Sequence, residues 1–311
     1  MTDLAVPALA AGRQKVARPR GRGGKAALVF LLPWILGFLL ITLVPLLASL
    51  YLSFTDYNLL EPAKWTGLSN YVQLFTGDPR FYKSLGVTAT YVLISVPLQL
   101  LVALALALYL DKGIRGLGFY RSTFYLPSLI GGSVAIGLLW YVVFGYDGGV
   151  NQMLRLLGVE NLPNWIGNPD TSLWTLILLH VWTFGSPMII FMAGLREIPG
   201  ELYEQASLDG ASTVRQFTNI TAPMLTPIIF FNLVLQMITA FQAFTPAFVI
   251  SRGTGGPVDS TMFYTLYLYI QGFTQFNMGY ASAMGWVLLL IIALFTGLNF
   301  LFSKYWVFYS E

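Results

Sequence analysis

The sequence predicts an all-α polytopic membrane protein with six transmembrane helices. Three observations lead to this fold class. The 311 residues are 56% hydrophobic and only 10% charged, whereas a soluble domain has about 25% charged residues. Six uncharged runs divide the chain, and each is longer than the roughly 20 residues that a helix needs to cross a bilayer. Because backbone polar groups in hydrocarbon must be satisfied within their own segment, these runs are predicted to be helices.

The predicted spans follow in chain order and end with one that is too long for a single helix. They are Ala26 to Thr55, Ser84 to Leu110, Ser122 to Tyr146, Thr171 to Leu195, Gln216 to Ser251 and Ser260 to Ser303. About 25 residues cross a bilayer, so residues 261–280 are predicted to lie mostly on the outer side. The final helix is expected at about residues 281–303. The two turn-rich outer loops, residues 56–83 and 147–170, are expected to contain short interfacial helices.

Orientation and domain organisation follow from the basic residues. Residues 1–25 are predicted to be a disordered basic cytoplasmic tail that touches anionic lipid, and residues 26–311 a single membrane domain. With the N-terminus inside, 12 of the 17 Lys and Arg residues are cytoplasmic, as the positive-inside rule requires. We therefore expect a multi-pass membrane protein with both termini in the cytoplasm. No nucleic-acid partner is expected, since the basic residues are not interleaved with stacking aromatics.

Catalytic and cofactor sites are not expected in this chain. There is no Cys and only one histidine, His180, so neither a thiolate metal site nor a Ser-His-Asp arrangement is possible. The stretch "GRGGKA" lacks the first glycine and the Ser or Thr of a phosphate loop. The chain is therefore predicted not to be an enzyme and to hold no cofactor or metal of its own.

One charged segment interrupts the apolar chain between the fourth and fifth spans. Residues 196–215 read "REIPGELYEQASLDGASTVR" and hold four of the 14 acidic residues. Pro199 suits the first turn of a helix, and Gly210 is placed to end that helix in the left-handed conformation. Ser212 can cap a second helix, which is expected to give way to the fifth span at Pro223. On spacing alone, this elbow is equally compatible with an ordinary cytoplasmic connector.

The stretch "ELYEQASLDGASTVRQFTNITAP" resembles the EAA signature of the membrane subunits of ATP-binding-cassette (ABC) importers. That signature reads Glu-Ala-Ala, three residues, Gly, nine residues, Ile, one residue, Leu-Pro. The matching positions are Glu204, Ala206, Gly210, Ile220 and Pro223, while Gln205 and Ala222 depart from the pattern.

Other stretches extend the resemblance over most of the chain after residue 25. "FYRSTFYLPSLIGGSVAIGLLWYVVFGYDGGVNQML", "GTGGPVDST" and "FNMGYASAMGW" resemble carbohydrate-importer permeases of the maltose and glycerol-3-phosphate kind, and the basic tail resembles the first of their two permeases. The resemblance implies an ABC importer type I permease fold in the prokaryotic cytoplasmic (inner) membrane. It also implies a second homologous permease, an extracytoplasmic substrate-binding protein and two ATPase subunits, which hold ATP and Mg. Residues 199–223 would then be the coupling loop, with Glu204, Ala206, Asp209 and Gly210 contacting an ATPase.

Candidate solute contacts lie in the fourth and fifth spans. Polar side chains within a membrane tend to face a cavity or a partner helix. On the fifth span such residues fall within an arc of about 120° at 100° per residue, and on the fourth they step by three along one stripe. They are Asn232, Gln236, Thr239 and Gln242, flanked by Phe241, and His180, Thr183 and Ser186, with Trp182 nearby; the resemblance places Gln242, Thr183 and Ser186 at sugar-contacting positions. The alternative is that these side chains bond to neighbouring helices.

Two other classes of membrane protein were weighed. An ion-coupled transporter or channel often carries buried charges, but no predicted span contains Asp, Glu, Lys or Arg. A membrane enzyme would need a catalytic cluster, which is missing. The same lack of charge favours a neutral sugar or sugar alcohol, with glycerol 3-phosphate or another small polar solute as the alternative.

Overall fold

The computed structural model describes residues 23–113 and 115–308, with side chains from residue 29 onward. The predicted disordered tail therefore lies outside the described residues as far as residue 22, and the first helix begins at Gly23. The helices are α1 (Gly23–Gly37), α2 (Val44–Leu52), α3 (Ser69–Thr76), α4 (Pro79–Leu110), α5 (Leu117–Ile130), α6 (Val134–Val143), α7 (Gly149–Leu156), α8 (Pro169–Trp182), α9 (Gly185–Glu197), α10 (Gly200–Leu208), α11 (Thr213–Gln216), α12 (Ala222–Phe241), α13 (Thr245–Ile250), α14 (Tyr264–Tyr269) and α15 (Met278–Trp306).

Three π-helical segments and two short strands complete the described chain. The π-helical segments are Phe38–Leu43, Phe217–Thr221 and Ile270–Thr274, and the strands β1 (Thr55–Asp56) and β2 (Lys64–Trp65) pair antiparallel. The residues form two compact units, one up to Ser49 and one from Leu50 onward. The described part of the first unit is an apolar helical segment that ends within α2. Helices α3 and α7 lie in the two loops where interfacial helices were predicted, and the β1–β2 pair was not predicted.

Six membrane crossings are present only when two bent helix pairs are each counted as one span. Four helical segments are long and apolar enough to cross alone: Val29–Leu52, Pro79–Leu110, Thr213–Ile250 and Met278–Trp306. The third predicted span is α5 and α6, bent by 98°, and the fourth is α8 and α9, bent by 40°. Each of these two spans is therefore bent rather than one straight helix. Gly131 and Gly132 interrupt the third span, and Ser133 starts a new helix by accepting a hydrogen bond from the Ile136 N–H.

The end of one helix and the start of another also differ from the sequence prediction. The helix after Ser212 does not end at Pro223, because the π-helical segment Phe217–Thr221 carries it directly into α12. A π-helical turn rearranges the backbone hydrogen bonds just before the proline, whose missing N–H and ring would otherwise break the ladder. Residues 261–280 contain α14 and a π-helical segment, and the last helix begins at Met278.

Helix α4 lies at the centre of the larger unit and packs against α8, α9, α12 and α14. Its buried face combines large side chains with small ones. Tyr91 and Val96 are almost fully buried, and Ala103 and Ala107 are completely so. Small residues let helix backbones approach closely, which favours packing by van der Waals contact between apolar helices.

A hydrogen-bonded carboxylate joins three helices where α4 begins. The Asp78 Oδ1 caps α4 by accepting from the N–H groups of Arg80 and Phe81, at 3.0 and 3.1 Å. Its Oδ2 accepts from the Tyr267 hydroxyl at 2.6 Å and the Tyr280 hydroxyl at 2.5 Å. Asp78 therefore connects α4 to both α14 and α15.

We predict that Asp78→Ala destabilises the protein by at least about 2 kcal/mol, because it removes a helix cap and leaves the hydroxyls of two buried tyrosines without an acceptor. Thermal unfolding of the purified protein in detergent measures the effect. Asp147→Ala is the matched control, since it removes only an exposed ion pair with Arg155, and pairs of this kind contribute about 0–1 kcal/mol. Equal melting temperatures for the two variants would contradict the assigned role of Asp78.

Candidate transport site

A polar cavity of about 530 Å³ lies where the broken spans meet α4. Its lining combines hydroxyl, amide and imidazole side chains with glycines and aromatic rings, and no Asp, Glu, Lys or Arg is among the described lining residues. The polar side chains are Tyr91, Gln99, Ser128, His180, Thr183, Ser186, Gln236, Thr239, Gln242 and Thr245. The cavity is therefore built to form hydrogen bonds without attracting a particular charge.

Each of three helix breaks contributes to the cavity wall. The breaks are Gly131–Ser133, Thr183–Phe184 and Gln242–Phe244. A helix break frees backbone N–H and C=O groups. Inside a membrane, non-helical backbone is tolerated only where it is buried in protein or lines a polar cavity.

The break in the fourth span is held by side chains from the second and third spans. The Thr183 carbonyl accepts hydrogen bonds from Gln99 Nε2 at 3.0 Å and from Ser128 Oγ at 2.9 Å. Ser128 Oγ in turn accepts from the Ser186 N–H at 2.9 Å. Gln99 Nε2 also contacts Thr183 Oγ1 at 3.0 Å. Backbone groups on both sides of the break are thus satisfied by two neutral side chains.

Close backbone contact fixes the position of α9 against α5. A Cβ atom added at Gly185 would come within 2.3 Å of the Phe124 carbonyl oxygen and 2.7 Å of the Tyr125 Cα. Neither neighbour can move aside as a flexible side chain would. At Gly131, an added Cβ would come within 2.3 Å of Thr183 Cγ2. The two glycines therefore let the third and fourth spans come close enough to close this side of the cavity.

Four of the seven predicted pathway residues line this cavity: Gln236, Gln242, Thr183 and Ser186. Thr239 and His180, which belong to the same two stripes, line it as well. The fifth-span arc thus faces the cavity over its last three members. The structure places these side chains around one cavity. Their contact with a solute is still a prediction.

The other three predicted residues are not among those that line the cavity. Trp182 packs against Trp140, with ring centroids 5.7 Å apart, and Phe241 is buried against Phe295 at 5.2 Å. Asn232 is completely buried, and neither of its amide atoms has a hydrogen-bond partner among the described residues. A helical arc indicates the direction of a side chain but not how deep the cavity reaches along the helix.

Sequence reasoning missed the residues that α4 and α5 supply, namely Tyr91, Gln99 and Ser128. Gln99 is the only amide in the largely apolar run "LISVPLQLLVAL", which has Ser95 as its other polar residue. The rule that polar side chains within a span face a cavity or a partner helix applies to it directly. A lone amide in the second predicted span is therefore a sequence signal for a cavity residue, of the same kind as those in the fourth and fifth spans.

The predicted elbow forms a tightly closed turn between α10 and α11. Gly210 has φ +74°, and the Ala211 N–H donates to the Ala206 carbonyl at 2.9 Å while the Gly210 N–H donates to the Ser207 carbonyl at 3.1 Å. These two bonds define a Schellman motif. Ser212 Oγ accepts from the Arg215 N–H at 3.4 Å. The predictions of a left-handed Gly210 and a Ser212 cap are confirmed.

The exposed surface of the elbow carries both acidic and apolar side chains. Glu204 and Asp209 are exposed, and neither forms an ion pair among the described residues. Leu208 is 88% exposed and Val214 72% exposed, while Ala206 is half-buried. This surface has unpaired carboxylates beside apolar side chains.

Two side-chain contacts hold the elbow together and connect it to the helix that follows. The Tyr203 hydroxyl lies 2.9 Å from Thr221 Oγ1, at the end of the π-helical segment that leads into α12. Gln216 Nε2 donates to Ser207 Oγ at 2.9 Å, which joins α11 to α10. The elbow is therefore bonded directly to the start of the fifth span.

Bent apolar spans around a neutral polar cavity, followed by an exposed two-helix elbow, define a membrane permease. The chain belongs to the family described as binding-protein-dependent transport system inner membrane component, whose model matches residues 74–306. It is thus the permease subunit of an ABC importer.

Relatives of known name match nearly the full length of the chain. It is 51% identical over 301 residues to the probable ABC transporter permease protein YesP of Bacillus subtilis (strain 168), covering 97% of each chain. It is 33% identical over 297 residues to the arabinooligosaccharides transport system permease protein AraP of the same organism, covering 94% of this chain and 93% of the relative.

A solved structure shares the fold. A chain of a bacterial alginate ABC transporter, crystallised with an alginate-pentasaccharide-bound periplasmic protein, superimposes with a TM-score of 0.74 at 22% identity, covering 90% of this chain and 94% of that one. The likeness supports the ABC importer permease fold predicted from the sequence.

We predict that Gly185→Ala prevents normal packing of α9 on α5, because the added methyl group meets backbone atoms that cannot yield locally. The yield and melting temperature of purified protein should both fall. Gly118→Ala in α5 is the control, since an added Cβ there meets nothing within 4 Å and alanine is the better helix former. If the Gly185→Ala protein were as stable as the Gly118→Ala protein, the close contact between the backbones of α9 and α5 would be contradicted.

Proposed function

We propose that this chain forms half of the translocation pathway for a neutral sugar, most simply an oligosaccharide, in an ATP-driven importer. The observation that carries the proposal is the cavity, whose described lining offers hydroxyl, amide and imidazole groups and no charged side chain. Sugar hydroxyls both donate and accept hydrogen bonds, so neutral groups of mixed character suit them. The rings of Tyr91 and Phe244 can pack against sugar C–H surfaces.

The relatives agree with a carbohydrate solute. AraP, by its name, serves arabinooligosaccharides. A volume of about 530 Å³ falls within the 300–1,000 Å³ range typical of small-molecule pockets. Glycerol 3-phosphate or another anionic solute is less well supported, because a phosphate would be expected to meet a cation in the cavity.

The coupling loop, residues 199–223, is proposed to dock on an ATPase subunit at the cytoplasmic face. Glu204 would pair with a basic residue of that ATPase, and Ala206, Asp209 and Gly210 would lie at the same contact. Exposed Leu208 and Val214 add apolar area of the kind found at protein interfaces. ATP and Mg would be bound by two such ATPases, so this chain would not itself hydrolyse ATP.

The rest of the assembly follows from the same proposal. A second permease would complete the pathway, and a substrate-binding protein would deliver the solute at the outer face. Both termini of this chain would lie in the cytoplasm, where the basic tail would contact anionic lipid.

Uptake into proteoliposomes tests the proposed solute class. The importer is purified with its co-expressed subunits through a tag on this chain, and supplied with its binding protein. We expect ATP-dependent uptake of arabinotriose or maltotriose, and at least tenfold weaker uptake of an alginate trisaccharide, because the carboxylates of the latter would enter a cavity without cations. Uptake of the acidic trisaccharide alone would overturn the proposal, and so would uptake without ATP.

We predict that Gly210→Val abolishes coupling while leaving the membrane domain folded. A β-branched residue at φ +74° costs about 1–3 kcal/mol in local strain, and apart from the adjacent residues no atom of the described chain lies within 4 Å of the added Cβ. The variant should reach the membrane in normal amount but lose uptake and solute-stimulated ATP hydrolysis. Gly200→Val at the start of α10 is the control, since its Cβ also meets open space and its φ is not positive. Normal uptake by Gly210→Val would show that the elbow is only a connector.

A further inference from the structure

A second groove, of about 410 Å³, lies between the first parts of α4 and α8 and shares no lining residue with the transport cavity. Its α4 residues fall between positions 82 and 94, and its α8 residues between positions 169 and 177. The two helices run in the same direction, since Gln99 further along α4 bonds to Thr183 at the end of α8. Twelve residues of helix rise about 18 Å, so the groove follows both helices lengthwise.

One end of this groove is charged and the other is apolar. Lys83 and Asp170 line the end where both helices begin, and isoleucine side chains line the opposite end. Each charged residue directly precedes a long uncharged run, Ser84 to Leu110 in one helix and Thr171 to Leu195 in the other. Because charged side chains avoid hydrocarbon, the two charges mark the level at which lipid headgroups begin.

Aromatic side chains border the charged end, and a glycine opens the floor of the groove. Tyr82 is 52% exposed and Trp174 54% exposed, as is typical of the aromatic belt at headgroup level. The Tyr82 hydroxyl donates to the Phe75 carbonyl at 2.6 Å, which holds its ring at the rim. An added Cβ at Gly86 would meet no side chain, and no backbone beyond its own stretch of helix, within 4 Å.

Neither charged side chain of the groove has a partner. Lys83 and Asp170 form no ion pair among the described residues, with each other or with a third residue. Arg80, one helical turn before Lys83, differs in this respect because it binds Asp259 through two bonds of 2.7 and 3.0 Å. The groove therefore presents an unpaired cation and an unpaired anion at the same end, above an apolar floor.

We propose that this groove binds a zwitterionic phospholipid whose headgroup carries a primary ammonium, as in phosphatidylethanolamine (PE). The lipid phosphate lies at Lys83, the ammonium donates to the Asp170 carboxylate, and one acyl chain follows the apolar floor. Charge-assisted hydrogen bonds of this kind are stronger than neutral ones. The quaternary ammonium of phosphatidylcholine (PC) has no N–H to donate, and an anionic headgroup without an ammonium is repelled by Asp170. The site is independent of the transported solute.

Two photoactivatable lipids test the site. PE and PC with the same diazirine-bearing acyl chain are each added in trace amount to nanodiscs of PC and phosphatidylglycerol that contain the purified importer. After illumination, mass spectrometry measures the share of the label on this chain that is attached to the groove residues of α4 and α8. For the wild type, we expect this share to be at least about threefold larger with PE, the effect of one hydrogen bond at a partly exposed site.

Asp170→Ala removes the acceptor and should abolish the preference for PE over PC. Asp147→Ala is the matched control, since Asp147 is an exposed carboxylate in the loop before α8 that pairs with Arg155; it should keep the preference. Lys83→Gln removes the cation that faces the phosphate of both lipids. Labelling of the groove should therefore fall about threefold with PE and PC alike, as for one exposed ionic contact.

Gly86→Leu adds a side chain to the open floor of the groove, where it meets no packed neighbour. The variant should assemble normally and lose most of the groove labelling with both lipids, because the acyl chain and the leucine compete for the same space.

Three outcomes would overturn the inference. Equal labelling of the wild type by PE and PC would show an ordinary lipid-facing surface. An unchanged preference in Asp170→Ala would show that this carboxylate does not bind the ammonium. Absence of groove labelling by either lipid in the assembled importer would show that a protein subunit, rather than a lipid, covers the groove.

Discussion

The hydrogen bonding of one freed backbone carbonyl, that of Thr183, is the constraint on which the cavity depends. A continuous helix satisfies its own backbone, so a straight fourth span would need no help from its neighbours. Once the span bends, the Thr183 carbonyl needs donors, and Gln99 and Ser128 supply them. The second, third and fourth spans are thereby tied at one level of the bundle. The glycines at positions 131 and 185 then let the backbones come close enough for those bonds to form.

One helical segment, residues 213–241, leads from the elbow to the break in the cavity wall at residues 242–244. Residues Thr213–Ile250 form a single span of 38 residues that begins in the elbow and carries Gln236, Thr239 and Gln242 along the cavity. The π-helical segment Phe217–Thr221 lies between these two regions, and Tyr203 bonds to its last residue. The π-helical segment keeps the helix continuous through Pro223, so the elbow and the polar residues of the fifth span lie on the same helix. π-helical turns in α-helices often occur at functional positions.

Much of this architecture could be predicted from the sequence, and the reasons for the remainder are physical. Uncharged run length locates the spans, because the cost of charge in hydrocarbon is a property of each residue. The left-handed Gly210 and the Ser212 cap were also predictable, since both depend on residues adjacent in the chain. The 98° bend between α5 and α6 was not, because glycine permits a bend but neighbouring helices decide whether it forms. Asn232 shows the same limit: it lies on the correct arc, yet packing encloses it. Gln99 was predictable in kind, but its pairing with Thr183 joins residues 84 positions apart.

The neutral solute proposed for this permease has an electrical consequence. Carrying one elementary charge across a membrane changes its energy by about 2.3 kcal/mol for every 100 mV of potential. A neutral solute moving through a neutral cavity carries no such charge, so the membrane voltage neither drives its entry nor opposes it. Accumulation inside the cell then depends only on the free energy of ATP hydrolysis and the two solute concentrations. A cell whose membrane potential has collapsed but whose ATP remains would therefore keep the same limiting concentration ratio across its membrane.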